Sequence, residues 1–313
     1  MKLWVGVTDE GWFNYMKARN PDEVNFWRPG GGGFKAVSEG APFLFKLHSP
    51  NNYIVGGGFF VRCPILPLSI AWKAFGHKNG SANFQTFRSQ ILKYRERHDT
   101  VTTDPKIGCI ILTDPFFLAE EDWIPAPSNW KPGIVQGKTY DDQESIGQEL
   151  WAQVQQLLYQ YLPVIRDDKD ALDQTAKTTD RYGAVYLARP RLGQSSFRAL
   201  VTEAYTYRCA ITGERTLPVL EASHIKPYSE SGPHQVDNGL LLRADLHILF
   251  DQGYLTVTDD YRVEVSRHIK EEFDNGRDYY ALHGKELAIL PNADNERPSG
   301  EFINWHNQQV YLP

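Results

Sequence analysis

Apolar runs and turn signals dominate the first half of the chain. Residues 42–47 (PFLFKL) and 53–63 (YIVGGGFFVRC) are separated by Ser49, Pro50, Asn51 and Asn52, and this spacing predicts a β-hairpin. Residues 107–112 (IGCIIL) predict another strand, reached through a charged helical stretch over about 84–97. Residues 148–161 (QELWAQVQQLLYQY) carry apolar side chains at helical intervals and predict the helix that closes this region. Large apolar residues then almost disappear from residues 166–181 (RDDKDALDQTAKTTDR), the pattern of a linker. The division expected is a β-rich domain over 1–163, a linker over 164–192 and a second domain over 193–313.

The second domain alternates more quickly. Ser195 and Ser196 are placed to cap a helix through Phe197 and on to Tyr205. The turn Thr212-Gly213 precedes a short strand, LPVLEASHI, in which His224 stands near the end. A polar loop runs from there to Asp237, and NGLLLRADLHILFD follows with helical character. Strand, loop and helix thus carry a histidine at each end of the unit.

Composition limits the function classes. The 313 residues are 41% hydrophobic and 13% aromatic, enough to build substantial cores and consistent with two domains. No run of eighteen apolar residues and no charged-then-apolar leader occurs, so a cytoplasmic protein is expected. Cys63, Cys109 and Cys209 are odd in number and far apart, which argues against a disulfide framework. The formal charge of −6 gives no sign of a polyanion partner, but the local sign does. Between residues 186 and 217 stand Arg189, Arg191, Arg198, Arg208 and Arg215 against Glu203 and Glu214. Such an island is either a solvated helix face or a phosphate-contacting one, with Arg189, Arg191 and Arg198 the candidates for phosphate contact.

Phosphodiester hydrolysis needs a base that deprotonates water and a cation that neutralises developing charge. An imidazole titrating near neutrality suits the first role. A divalent ion held by imidazole and oxygen suits the second, with substrate phosphate and water completing its sphere. His224 on the strand and His247 on the helix are placed for these two tasks, and Asn238 ties the loop to the helix.

The run over residues 207–254 resembles the HNH (ββα-metal) nucleases, in particular the branch found in predicted bacterial restriction endonucleases. Three pieces carry the resemblance: ASHIKP around His224, DNGLLL around Asn238 and LHILFD around His247, with eight residues between Asn238 and His247. The resemblance implies that His224 is the general base, that Asn238 orients the loop carrying it, and that His247 ligates a divalent metal (Mg²⁺, Mn²⁺, Co²⁺ or Ni²⁺). Where many members have a second ligand just before the base, this chain has Ser223. Asp251, Asp245, Asp237 and His234 are the nearby donors, and Asp251 is preferred because it lies one turn beyond His247. Cys209 has Thr212 where a paired cysteine would fall, so no structural zinc is expected.

Residues 1–160 resemble the PUA-like superfamily, which includes the SRA, EVE and YTH readers of modified bases. The resemblance rests on NFWRP around Trp27, FKAV at 34–37, PFLFKL at 42–47 and IVQGKTY at 134–140. It implies an α+β protein, a PUA-like barrel joined to a ββα-metal domain, in which an aromatic pocket receives a flipped base. Trp27, Trp72, Trp123 and Trp130 are the candidates for that pocket, although a tryptophan is more often a core residue. The Gly30–Gly33 run lacks the spacing of a phosphate-binding loop. The pairing of reader and cutter resembles the modification-dependent restriction endonucleases, with double-stranded DNA carrying 5-methylcytosine or 5-hydroxymethylcytosine as the expected substrate. One such site cuts one strand, so a homodimer is expected. The alternatives are an unselective nuclease and a DNA-binding protein with a degenerate HNH fold.

Overall fold

The computed structural model describes residues 1–95, 103–161 and 192–313, which form two compact units dividing between Gly193 and Gln194. Residues 164–191 of the expected linker, with Arg189 and Arg191, lie outside the described residues. Both units mix helices and strands, an α+β architecture.

In unit 1 the chain runs β1 (Lys2–Thr8), α1 (Glu10–Lys17), β2 (Glu23–Arg28), β3 (Pro42–Leu47), β4 (Tyr53–Phe60), β5 (Ile65–Pro67), α2 (Leu68–Phe75), α3 (Phe84–Arg95), β6 (Lys106–Phe117), β7 (Ile124–Pro125), β8 (Gly137–Asp141) and α4 (Ser145–Tyr161). The strands form one eight-stranded sheet in the order β2-β6-β4-β3-β1-β8, with β5 on β6 and β7 on β4. The β1–β3 pair is parallel, and the predicted β3–β4 hairpin is antiparallel across a cis Ser49–Pro50 bond.

Period-two alternation sorts β3 between two cores. Phe43, Phe45 and Leu47 join Trp12, Phe13 and Met16 of α1, whereas Leu44 joins Leu150, Trp151, Val154 and Leu158 of α4. The start of α1 is fixed by Asp9, whose carboxylate accepts from the Trp12 amide at 2.7 Å. That cap turns Trp12 and Phe13 into the first core.

Unit 2 comprises α5 (Gln194–Ala204), β9 (Leu220–His224), β10 (Gly239–Arg243), α6 (Ala244–Asp251), β11 (Leu255–Val257), β12 (Val263–Val265), α7 (His268–Phe273), α8 (Arg277–Tyr280) and α9 (Gly300–Gln309). Two local expectations change. Ser195 and Ser196 do not cap α5 but lie inside its first turn, buried. Residues 239–243, expected to be helical, form β10 antiparallel to β9, with His224 opposite Gly239. Leu240, Leu241 and Leu242 are all buried, so packing on both faces hides the alternation that marks a half-exposed strand. The result is a ββα unit.

Helix α9 packs within unit 2. His306 is buried; its Nε2 donates to the Phe250 carbonyl at 3.0 Å and its ring stacks on Phe250 at 3.8 Å, bracing the end of α6. Among the described residues no helix is long and apolar enough to cross a membrane.

Candidate active site and aromatic cavity

The loop between β9 and β10 is held by one side chain. Asn238 is fully buried. Its Oδ1 accepts from the Lys226 amide at 2.8 Å, and its Nδ2 donates to the carbonyls of Lys226 and Pro233, each at 2.9 Å. The Ile225 amide also donates to the Asn238 carbonyl at 2.9 Å. Gly239 follows because nothing larger fits: a Cβ there would stand 2.5 Å from Val201 Cγ2 and 3.0 Å from the Phe197 ring. That close approach lets α5 lay Phe197 on His224, ring on ring, with centroids 3.8 Å apart and planes 11° apart.

His224 is sandwiched further. Its Nε2 lies 2.9 Å from Nδ1 of His234, whose ring stacks on the exposed Tyr228. Burial, then the neighbouring His234, push the His224 pKa down to about 4. At neutral pH its ring is therefore uncharged and has a basic lone pair. Arg198, on α5, adds a smaller effect of the same sign.

His247 sits in the opposite electrostatic setting. Its Nδ1 donates to Glu221 Oε2 at 2.8 Å, and its Nε2 lies 3.2 Å from Asp251 Oδ2, one helical turn on. Burial disfavours a proton on this ring, but the Asp251 and Glu221 carboxylates outweigh it and raise the pKa.

The donor set fits a divalent ion. Ligand bonds of about 2.1 Å at right angles place two ligand atoms roughly 3 Å apart, the order of the separation between His247 Nε2 and Asp251 Oδ2. No group of three His, Cys, Asp or Glu side chains is poised on one ion among the described residues, so an ion held here would need further ligands from outside the chain. Of the other donors considered, Asp245 is held by both guanidinium contacts from Arg243, at 2.9 and 2.6 Å, and His234 faces His224. Ser223 is fully buried and its hydroxyl donates to the His224 carbonyl at 3.4 Å.

Sequence reasoning missed Glu221 as a partner and Phe197 as a lid. Glu221 stands three residues before His224, but only the packing of α6 on β9 brings it to His247.

Unit 1 holds a cavity of about 650 Å³, walled by Trp4, Trp12, Phe26, Trp27, Phe34 and Phe43, with Asp9, Lys35, His48 and Gln136 among its polar groups. Trp27 is fixed there by its Nε1, which donates to the Asn79 carbonyl at 2.9 Å. Arg28 ties Gly33 to Gln136 through hydrogen bonds of 3.0 and 3.1 Å, shaping the rim near Gly30, Gly32 and Gly33. Of the four tryptophans expected to share a pocket, Trp27 alone lines this one. Trp72 packs on Phe84 and Phe87, Trp123 on Phe13 and Tyr53, and Trp130 lies beneath the Lys46 ammonium at 4.8 Å. Trp4 and Trp12 take their places.

Residues 209–258 match the HNH endonuclease family, and this segment is an HNH endonuclease domain. Among solved structures, the chain is similar to a modification-dependent restriction endonuclease, TagI, at 23% identity and a TM-score of 0.29. That match covers 43% of this chain and 44% of the other, so less than half the length of that enzyme is matched. An ASCH protein from Zymomonas mobilis matches at 12% identity over 48% of this chain and 94% of its own, with a TM-score of 0.32. No curated protein sequence matches the chain.

Proposed function

We propose that this protein is a modification-dependent DNA endonuclease. Unit 2 hydrolyses the phosphodiester and unit 1, a PUA-like reader, holds a modified cytosine flipped from the duplex. The observation that carries the reading is the convergence, inside the HNH segment, of an uncharged, half-buried His224, a loop pinned by Asn238 and a His247–Asp251 pair spaced for one ion.

In this reading His224 takes the proton from the attacking water. Among the described residues its Nδ1 has no protein hydrogen-bond partner, and Phe197 and His234 keep the ring from turning. A phosphate anion beside it raises its basicity from the low value of the free site. His247 and Asp251 would hold a divalent cation (Mg²⁺, Mn²⁺, Co²⁺ or Ni²⁺), which would supply charge neutralisation at the phosphate and leaving oxygen. Arg198 contacts the backbone phosphate, as do Arg189 and Arg191. In unit 1 the aromatic walls replace the stacking that an extruded base loses. Asp9 lies among the polar groups available to a base edge. Two copies of the chain cut the two strands.

Duplexes that are unmodified, 5-methylated or 5-hydroxymethylated at cytosine, incubated with Mg²⁺ or Mn²⁺ and with chelator, test both halves. Cutting confined to modified duplexes and abolished by chelator is expected. Equal cutting of all three removes the reader, and absence of cutting with every metal removes the nuclease.

A further inference from the structure

We propose that Glu221 is a positioning residue for His247, setting which ring nitrogen is offered to the cation; this rests on the nuclease reading of the same site. A neutral imidazole carries one proton on either nitrogen, and only the bare nitrogen can ligate a metal. A carboxylate can only accept, so the 2.8 Å contact between Glu221 Oε2 and His247 Nδ1 puts the proton on Nδ1. Nε2 meets the Asp251 carboxylate at the longer distance of 3.2 Å, and a cation taken up between those two atoms displaces any proton they share, so Nε2 is the ligating atom.

Three elements enforce the arrangement. Glu221 comes from β9, whose pairing with β10 across Leu242 fixes its height on the sheet, and His247 and Asp251 come from consecutive turns of α6. Phe250 on the same helix is clamped by His306 of α9, so the helix has little freedom to rotate His247 away. Glu221 itself is 43% exposed, so it accepts from the ring at little desolvation cost. An acceptor of this kind behind a metal-binding histidine raises the ligand's basicity and fixes its orientation, and its loss typically weakens metal affinity about 10–100-fold.

The full-length protein is titrated with Mn²⁺, and free ion is read by electron paramagnetic resonance, for the wild type, Glu221→Gln, Glu221→Ala and His247→Ala. Glu221→Gln and Glu221→Ala are expected to bind one Mn²⁺ about 10–100-fold more weakly, with melting temperatures in chelator close to wild type. The imidazole ¹⁵N shifts of His247, measured without metal at alkaline pH, are expected to report a proton on Nδ1 in the wild type and a shift toward Nε2 in Glu221→Ala. Wild-type Mn²⁺ affinity together with an unchanged tautomer in Glu221→Ala overturns the proposal. Unchanged Mn²⁺ binding in His247→Ala overturns instead the metal site on which it rests.

Discussion

The two chemistry-bearing regions are assembled in opposite ways. In unit 2 the polar side chains of the site come from one stretch of chain, Glu221 to Asp251, folded as two short strands, a pinned loop and a helix. In unit 1 the cavity draws its walls from β1, α1, β2, β3 and the segments around residues 34 and 136. Local assembly makes the first site a matter of a few hydrogen bonds with fixed partners, so single substitutions there should act almost as switches. The cavity is a surface of stacked rings with shared contacts, such as Phe43 against Trp4, Phe26 and Phe34, and it should yield by degrees. Substitutions are therefore expected to act more sharply in the unit 2 site than around the cavity of unit 1.

The sharpest way to break that comparison is His224→Ala. Loss of a general base should lower cleavage by about 10²–10⁴-fold while duplex binding, measured by gel shift, stays near wild type because phosphate contacts supply affinity. Residual cutting near wild type would remove the asymmetry between the regions.

Acid should act next, and on unit 2. Burial holds His306 uncharged in the fold, with its pKa down to about 4, whereas the unfolded chain takes a proton below about 6.5. The unfolded state therefore binds more protons inside that window. Stability is fully present above pH 6.5 and falls as the pH drops toward 4, by about 3 kcal/mol at 1.36 kcal/mol per unit. Denaturant unfolding of the His306→Gln protein from pH 7 to pH 4 should show a flatter acid limb than wild type.

Smaller effects are expected in the cavity and the loop. Trp27→Ala should cost about 1–3 kcal/mol of binding to a duplex with a modified base, the value of one stacking partner, and leave cleavage of bound DNA nearly unchanged. Competition binding against unmodified duplex reads the difference directly. Asn238→Ala leaves the Lys226 amide without its acceptor, and about 1–3 kcal/mol of unit 2 stability should go with it in thermal unfolding.

The same contrast decides what the sequence reveals. His224, Asn238, His247 and Asp251 are legible because the unit that places them is short, so their spacing survives as a pattern of residues. Their partners are not equally legible. Glu221 and Phe197 reach the site through packing of α6 and α5 on the hairpin, and nothing in their spacing announces it. The strand over residues 239–243 is obscured by the leucines that bury it on both faces. In unit 1 the predicted hairpin, the long strand and the closing helix follow from runs and periodicity, as β3–β4, β6 and α4 show. The cavity does not, because whether a tryptophan faces a cleft or a core depends on which element lies across from it. Trp72 meets Phe84 and Phe87 of α3, whereas Trp12, buried beside a core phenylalanine, also lines the cavity.

Single-turnover cleavage, with Mn²⁺, of matched duplexes with and without 5-hydroxymethylcytosine, by the wild type, His224→Ala and Trp27→Ala, tests cutting and recognition together. Wild type is expected to cut the modified duplex preferentially, His224→Ala to cut both about 10²–10⁴-fold more slowly, and Trp27→Ala to narrow the preference. Cleavage by His224→Ala at the wild-type rate, or equal cutting of both duplexes by the wild type, would contradict these expectations.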